Sequence, residues 1–351
     1  MYPLYTVAGS ARELGRQHGE QAAEQICRFL DFLASSLKRS SSQVAETALK
    51  FELLFQRDCP HLLDEIRGLS EGAGISFAEA LALQLRGELG QLPEGGCTSF
   101  AIGQTGTANR ELIIGQNSDN PPEMQECGYM LKLQPADCPE ILMWTFGGMI
   151  GYHGLNAQGV AHFANSLGGG PKWKFALAHY PLKRLFLEQT TLDDVMRVMN
   201  SVPVCSNGNY MLCGHGGEFA DVELTSDGPR RLPSPAEGFL VHANHYLCTE
   251  FACDENFRHS LPDSFSRQSR LEQLIRDKWG SITVEDVKTF LSDHDHHPLG
   301  ICRHRHSGEV HAMLGPTGYT VASLIAEPSA GRIHVSAGNP CEEHYATYQF
   351  G

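Results

Sequence analysis

No stretch of this 351-residue chain approaches the run of about 20 apolar residues that spanning a bilayer requires. The opening Met1-Tyr-Pro-Leu-Tyr-Thr-Val lacks both a basic region and an apolar core, so no secretory signal is expected. The closing Tyr348-Gln-Phe-Gly351 matches no lipidation or retention signal. Positive charge is scarce: 27 Lys and Arg stand against 41 Asp and Glu, a net charge of −14. Like charge repels phosphate, so neither nucleic acid nor an anionic membrane surface is an expected partner. The 11 cysteines are odd in number and scattered. Without an export signal they read as reduced thiols of a cytoplasmic protein rather than a disulfide framework. No Pro/Ser-rich linker, charge block or repeat divides the chain, which leaves two domains or one large layered domain equally open by length.

Two further absences bear on chemistry. The glycine-rich stretch Gly147–Gly159 has no Lys-Ser/Thr ending and no strand-to-helix dinucleotide context, so it is not a phosphate cradle. No His-Glu-x-x-His is present, although His294, His296, His297, His304, His306 and His311 crowd one region. A zinc site needs about four ligands, or three and a water. The local run His294-x-His296-His297 has no second spaced pair, so no metal is expected.

What is present suits a globular fold: 41% hydrophobic and 19% charged residues are enough to bury a full core. The first ninety residues read as helical. Ser10-Ala-Arg-Glu13 and Ser76-Phe-Ala-Glu79 are capping boxes, and Pro60 suits a first helical turn. A helix is expected to about Leu37, others over Gln43–Arg57 and from Pro60 to Gly72, and a fourth to about Leu89. Gly15 and Gly19 inside the first are costly unless they permit close helix packing, the preferred reading over a substrate-proximal turn. Leu92-Pro-Glu-Gly-Gly96 breaks the helical pattern.

After Cys97 the texture turns to short β-prone runs: Thr98–Gly103, Glu111–Gln116, Tyr129–Leu133, Glu140–Phe146, Val160–Ala164, Asn209–Leu212, Glu218–Leu224, Gly238–His242, Ile301–Arg305, Tyr319–Glu327 and Arg332–Ser336. Helices are expected at Leu177–Glu188, Leu192–Asn200, Asp263–Lys278 and Val284–Ser292. Helices segregated before and between runs of strands predict an α+β layered fold.

The boundary between the two textures is Gly95-Gly96-Cys97-Thr98. A glycine before a thiol leaves its carbonyl sterically open. If Cys97 attacks that carbonyl and the bond is broken, one residue carries both a thiol and a free α-amine. The thiol is a strong nucleophile, and an amine of pKa about 7.7–8.0 is a suitable base at neutral pH. By itself Gly-Gly-Cys equally describes a small buried core cysteine.

Company decides between them. Gly15-Arg-Gln-His-Gly19, Gly96-Cys97-Thr98, Gly115-Gln-Asn-Ser-Asp119-Asn, Gly151-Tyr-His-Gly-Leu-Asn156-Ala-Gln-Gly159-Val, Asn165, Ala243-Asn244-His245, Ile301-Cys-Arg303 and Gly338-Asn-Pro-Cys341 follow one another in an order spanning nearly the whole chain. This set resembles the acyl-coenzyme A:6-aminopenicillanic-acid acyltransferase family, cysteine-type N-terminal-nucleophile (Ntn) hydrolases. The resemblance implies a four-layer αββα sandwich and autocatalytic cleavage of a zymogen between Gly96 and Cys97. Residues 1–96 would form an α segment and 97–351 a β segment, the two remaining associated as one Ntn domain.

The resemblance also implies roles. Cys97 is expected to be the nucleophile forming a thioester acyl-enzyme. Asn244 is expected to help bind the oxyanion, Asp119 to be the acid near the nucleophile, and Arg303 its cationic partner. Thr98 and His153 are expected beside the substrate. Asn156 and Asn165 are expected either to line the pocket or to serve turns and hydrogen bonds. The implied reaction is amidohydrolysis of a small-molecule acyl amide, with N-acyl transfer to an amine as the alternative. No cofactor is expected, though a coenzyme A thioester is an eligible acyl donor. A metal-dependent hydrolase built on the histidine-rich region, and a binding protein without turnover, are the rival classes.

Overall fold

The computed structural model describes residues 1–89, 96–233, 237–251, 262–305 and 318–351. Gly95, Cys253, His306 and His311 therefore lie outside the described residues, as does the break from Leu92 to Glu94.

Two β-sheets stack face to face, with helices covering their outer faces. The first sheet has eight strands in the order β1(Leu4–Gly9), β4(Gly128–Pro135), β5(Ile141–Phe146), β6(His153–Asn156), β7(Ala161–Ser166), β8(Gly208–Cys213), β9(Phe219–Thr225) and β10(Gly228–Arg231). The second has six, ordered β11(Phe239–His242), β2(Cys97–Ile102), β3(Ile113–Asn120), β12(Tyr319–Glu327), β13(Arg332–Ser336) and β14(Tyr345–Gln349). Helices α1(Ala11–Gln21), α2(Ala23–Leu37), α3(Ser41–Leu49), α4(Glu52–Asp58), α5(Pro60–Ala73), α6(Phe77–Leu83), α7(His179–Leu187) and α8(Leu192–Ser201) belong with the first sheet. Helices α9(Pro262–Asp277) and α10(Val284–Leu291) cover the second. This is the four-layer αββα sandwich.

Period-two alternation sorts the second sheet's side chains between two cores. In β2, Phe100 and Ile102 face α9 and α10, where they join Leu271, Ile275, Val287 and Leu291. Ala101, and Ile114 of β3, belong to the larger core that includes Leu131, Met143 and Phe163 of the first sheet. Cys97 and Ser99 share the Ala101 side of β2, whereas Thr98 shares the opposite side.

The glycines of α1 mark close helix packing. A Cβ on Gly15 would lie 1.8 Å from the Glu65 carbonyl oxygen, and one on Gly72 of α5 1.9 Å from that of Arg16. The two helices meet backbone to backbone.

Four local expectations change. The first ninety residues are not wholly helical: Leu4–Gly9 is a strand, parallel to β4 more than 120 residues away. The helix expected over Gln43–Arg57 is two helices, α3 and α4. The segment Ile301–Arg305 is not a strand, because both edges of β12 are already paired, with β3 and with β13. The strand expected over Glu111–Gln116 is β3, which runs on to Asn120 and carries Asp119 within it. The β14 pairing was not foreseen at all.

Candidate active site

Cys97 opens β2, buried to 5% exposure, with its partner in β3 being Ser118. The carbonyl before it is held: the backbone N–H of Asp119 donates to the Gly96 oxygen at 2.8 Å. That donor is aimed at the oxygen where negative charge would grow if the thiol attacked the Gly96 carbon. A Cβ on Gly96 would fall 2.1 Å from an Arg303 guanidinium nitrogen and 3.3 Å from Asp119 Oδ2. Glycine is thus the residue that lets the Arg303–Asp119 pair sit against the bond preceding Cys97.

β3 carries an unusual load, Gln116-Asn-Ser-Asp-Asn120, entirely buried. Each residue has a partner, and alternation separates the tasks. Gln116 donates to Asn165 Oδ1 and to the Ala164 carbonyl of the first sheet, both at 2.6 Å. Asn120 accepts from Arg86 at 2.8 Å. On the other face, Asn117 donates to the carbonyls of Leu291 and Ile301, tying down the end of α10. Asp119 accepts from Thr320 Oγ1 at 2.7 Å and meets Arg303 at 3.5 Å.

Arg303 also lies 3.4 Å from Asp263, and Asp263 pairs with Arg267 at 2.9 Å. Two acids and two arginines therefore form one buried, charge-balanced row beneath Cys97. Arg267 is its centre. It donates to the Cys97 carbonyl and Thr98 Oγ1, both at 2.7 Å, and to Asn244 Oδ1 at 2.8 Å. A planar guanidinium can serve several acceptors at once in this fixed fork.

Asn244 is oriented by that contact. Its oxygen takes Arg267 and, at 3.0 Å, the backbone N–H of Cys97. Its Nδ2 donates to the Ser166 carbonyl at 3.0 Å. The amide thus accepts at the Cys97 nitrogen and presents its N–H side to Ser166, a residue of the pocket wall.

A partly open pocket lies between the two sheets and α7, lined among others by Cys97, Arg86, Tyr152, Asn165, Ser166 and Lys183. Lys183 lies over the Tyr152 and Tyr180 rings at 4.4 and 5.0 Å. Arg86 is buried, and its Nε has no hydrogen-bond partner among the described residues. A net-acidic protein has gathered two buried cations beside its candidate nucleophile.

Burial pushes the Cys97 thiol up to about 12, and the Asp119 charge adds to this. The thiol is therefore held protonated in the intact chain and needs a base to react at neutral pH. Burial likewise pushes Asp119 up to about 6, against the pull of Arg303 and Arg267. Asp263, flanked by both arginines, lies below the usual carboxylate range; the pull of its two partners outweighs the burial that opposes it.

Of the residues expected at the site, Cys97, Gly96, Asp119, Arg303 and Asn244 converge. Asn165 lines the pocket and also binds across the sheets, donating to Ser99 Oγ and the His242 carbonyl, both at 2.9 Å. Three do not line it. Thr98 points to the helix face, where it anchors Arg267, because strand alternation puts it opposite Cys97. Asn156 closes the β6–β7 turn and donates to the Leu187 carbonyl at the end of α7 and the Gln189 carbonyl just past it. His153 is packed among Trp144, Tyr152 and Phe163, and its burial lowers its pKa well below the imidazole range. Arg267, Asp263, Arg86 and Lys183 were missed. The one available signal was the Asp263-x-x-x-Arg267 spacing, which reads as an ordinary solvated i,i+4 pair.

The sequence profile of the acyl-coenzyme A:6-aminopenicillanic acid acyl-transferase family matches residues 105–342. The acyl-coenzyme A:6-aminopenicillanic-acid-acyltransferase 40 kDa form of Emericella nidulans is 26% identical over 342 residues, covering 95% of this chain and 92% of its own. Among solved structures, a variant of conjugated bile acid hydrolase from Clostridium perfringens aligns with a TM-score of 0.49 at 12% identity, over 73% of this chain and 97% of its own. Penicillin V acylase from Agrobacterium tumefaciens aligns with a TM-score of 0.46 at 10% identity, over 69% and 83%.

Proposed function

The chain belongs to the acyl-coenzyme A:6-aminopenicillanic acid acyl-transferase family of Ntn enzymes, and from that premise we propose that it is a self-processing amidohydrolase with Cys97 as its nucleophile. The observation that carries the reading is the Gly96 carbonyl. It lies directly before a buried, pocket-facing thiol, accepts from the Asp119 N–H at 2.8 Å, and has a guanidinium packed against it. In maturation, Cys97 Sγ adds to the Gly96 carbon, the C–N bond breaks, and the acyl group moves to sulfur while the nitrogen leaves as an amine. Water then hydrolyses this thioester, leaving a Gly96 carboxylate and an N-terminal Cys97.

In turnover the new α-amine takes the thiol proton and Sγ attacks the substrate's amide carbonyl. The tetrahedral intermediate collapses with the proton passing to the departing amine, and water releases the acid from the thioester. Asn244 Oδ1, now facing an amine, keeps that base oriented, and Nδ2 serves the oxyanion at the Ser166 wall. Arg86 and Lys183 favour an acyl amide that carries a carboxylate or similar anionic group. The similarity to an acyltransferase supports a second outcome, transfer of the acyl group from an amide or a coenzyme A thioester to an amine. Product analysis with and without added amine separates the two.

The segments before and after Cys97 share too much to part. β1 is paired into the first sheet, Glu65 meets Arg184 at 2.9 Å in a buried pair, and Arg86 reaches the pocket. We place the protein in the cytoplasm, a reading supported by ten free cysteines among the described residues. No helix of the described residues is long and apolar enough to cross a membrane.

Intact-mass measurement of purified protein tests the proposal. Two associated fragments are expected, the second beginning at Cys97, together with release of acid from acyl amides. An uncut chain that nonetheless turns over would overturn it.

The pH dependence follows from Asp119. Its folded pKa is raised, so its contribution to stability is full below the ordinary 3.8 and lost as pH rises through about 6. Processing runs the other way, since the charged carboxylate is what holds Arg303. The cleavage rate is expected to fall as pH drops through about 6, and Asp119→Asn should be slow at every pH and lack that limb.

A further inference from the structure

We propose that Cys302, Cys341, His304 and His294 form a tetrahedral site for one divalent metal ion of zinc's type, and that this site fixes the backbone on which Arg303 stands. The four donor atoms all lie within 4.8 Å of one another. The sulfurs are 3.5 Å apart, the two imidazole Nε2 atoms 2.9 Å apart, and His304 Nε2 is 3.3 Å from Cys341 Sγ and 3.8 Å from Cys302 Sγ. For Zn–S of about 2.3 Å and Zn–N of about 2.0 Å, a tetrahedron has edges of about 3.8 Å between sulfurs, 3.3 Å between nitrogens and 3.5 Å between the two kinds. These four separations lie within about half an ångström of the ideal edges, and the two from His294 to the sulfurs lie within 4.8 Å. Four lone-pair donors are thus gathered closely enough for one cation of this size to draw them together.

The donor set is selective. Two thiols and two imidazoles suit a borderline-soft tetrahedral ion, not magnesium or calcium, which take oxygen. With all four positions supplied by protein, the site is closed and structural rather than catalytic. Outer contacts are in place. Asn339 Nδ2 approaches Cys302 Sγ at 3.4 Å, and His304 presents its other nitrogen to Glu342 at 3.6 Å. A carboxylate behind a ligating histidine fixes its orientation and raises its basicity. The ligands come from three places in the chain: the segment after α10, the segment entering β12, and the β13–β14 connection. That dispersion is why the histidine run alone showed no ligand spacing; the missing partners are cysteines up to 47 positions away.

Arg303 lies between two ligands in sequence. Its N–H donates to Thr320 Oγ1 at 3.0 Å, and its carbonyl accepts from Asn339 Nδ2 at 2.7 Å. An ion clamping Cys302 and His304 would therefore hold the guanidinium at Gly96 and Asp119 without touching the reacting atoms.

The test is metal analysis of the full-length protein purified without chelator from zinc-supplemented cells, a readout independent of any enzyme activity. One zinc per chain is expected, lost in Cys302→Ser and Cys341→Ser and retained in Cys27→Ser. Cobalt substitution should give the visible bands of a tetrahedral thiolate site. Removal of the ion should lower Tm and slow chain cleavage at unchanged pH dependence. Substoichiometric metal, retention of the ion in a Cys302→Ser/Cys341→Ser double variant, or a Cys302–Cys341 disulfide in freshly isolated metal-free protein would each overturn the proposal.

Discussion

Cys97→Ala is expected to remain one uncut chain and to hydrolyse no acyl amide. The substitution removes the proposed nucleophile for both events, and among the described residues Cys97 is the cysteine that lines the pocket. The fold should survive. Cys97 is a small buried residue at a strand's first position, and its backbone bonds to Asn244 and Arg267 do not use sulfur. Tm unchanged with both activities gone is the expected pattern; cleavage at the wild-type rate would exclude the mechanism. Cys97→Ser should process more slowly, since an alcohol is the weaker nucleophile.

Gly96→Ala separates steric from chemical control of the same step. The added methyl would lie 2.1 Å from the Arg303 guanidinium. That group is the end of a long side chain, but it is buried between Asp119 and Asp263, and moving it leaves a carboxylate short of its cation. Disrupting a buried pair costs about 3–5 kcal/mol, so strongly reduced cleavage with an intact thiol is the expected result, read as accumulated precursor.

How much of this could be read from residues alone follows from which signals are local. Capping boxes at Ser10 and Ser76 and the Pro60 start are local, and the helices begin where they indicate. The strand at Leu4–Gly9 exists because β4 is there to pair with it, information carried more than 120 residues away. Ile301–Arg305 has strand composition, but both sides of β12 are already paired, again a fact about other elements. At the candidate site, Cys97, Asp119, Asn244 and Arg303, which the fold brings together, stand in short ordered motifs that the sequence alone displays. Thr98 and His153 were misassigned for a geometric reason: adjacency in a strand sends neighbouring side chains to opposite faces, so nearness to Cys97 or to a glycine-rich stretch predicts nothing about pocket lining.

Arg267 is the instructive omission, and Arg267→Met the sharpest remaining test. One guanidinium holds the Cys97 carbonyl, Thr98, Asn244 and Asp263. Methionine keeps much of the volume but leaves Asp263 with Arg303 as its remaining close cation, and it frees Asn244 to rotate. Cleavage and turnover are expected to fall by about 10²- to 10³-fold, the scale of losing a preorganised donor at a reacting carbonyl. Tm should fall as well, because two buried carboxylates are left sharing one arginine. Adding Asp263→Asn removes one of those charges, so the double variant should regain Tm without regaining rate if Arg267 acts by positioning. Arg267→Lys should behave similarly, because a single ammonium point cannot span four acceptors set for a planar fork. Recovery of rate in step with Tm would instead make Arg267 a purely structural residue. The expected split places it as the group that aligns Asn244 with the nitrogen of Cys97, so that the base created by cleavage is already in position when the bond breaks.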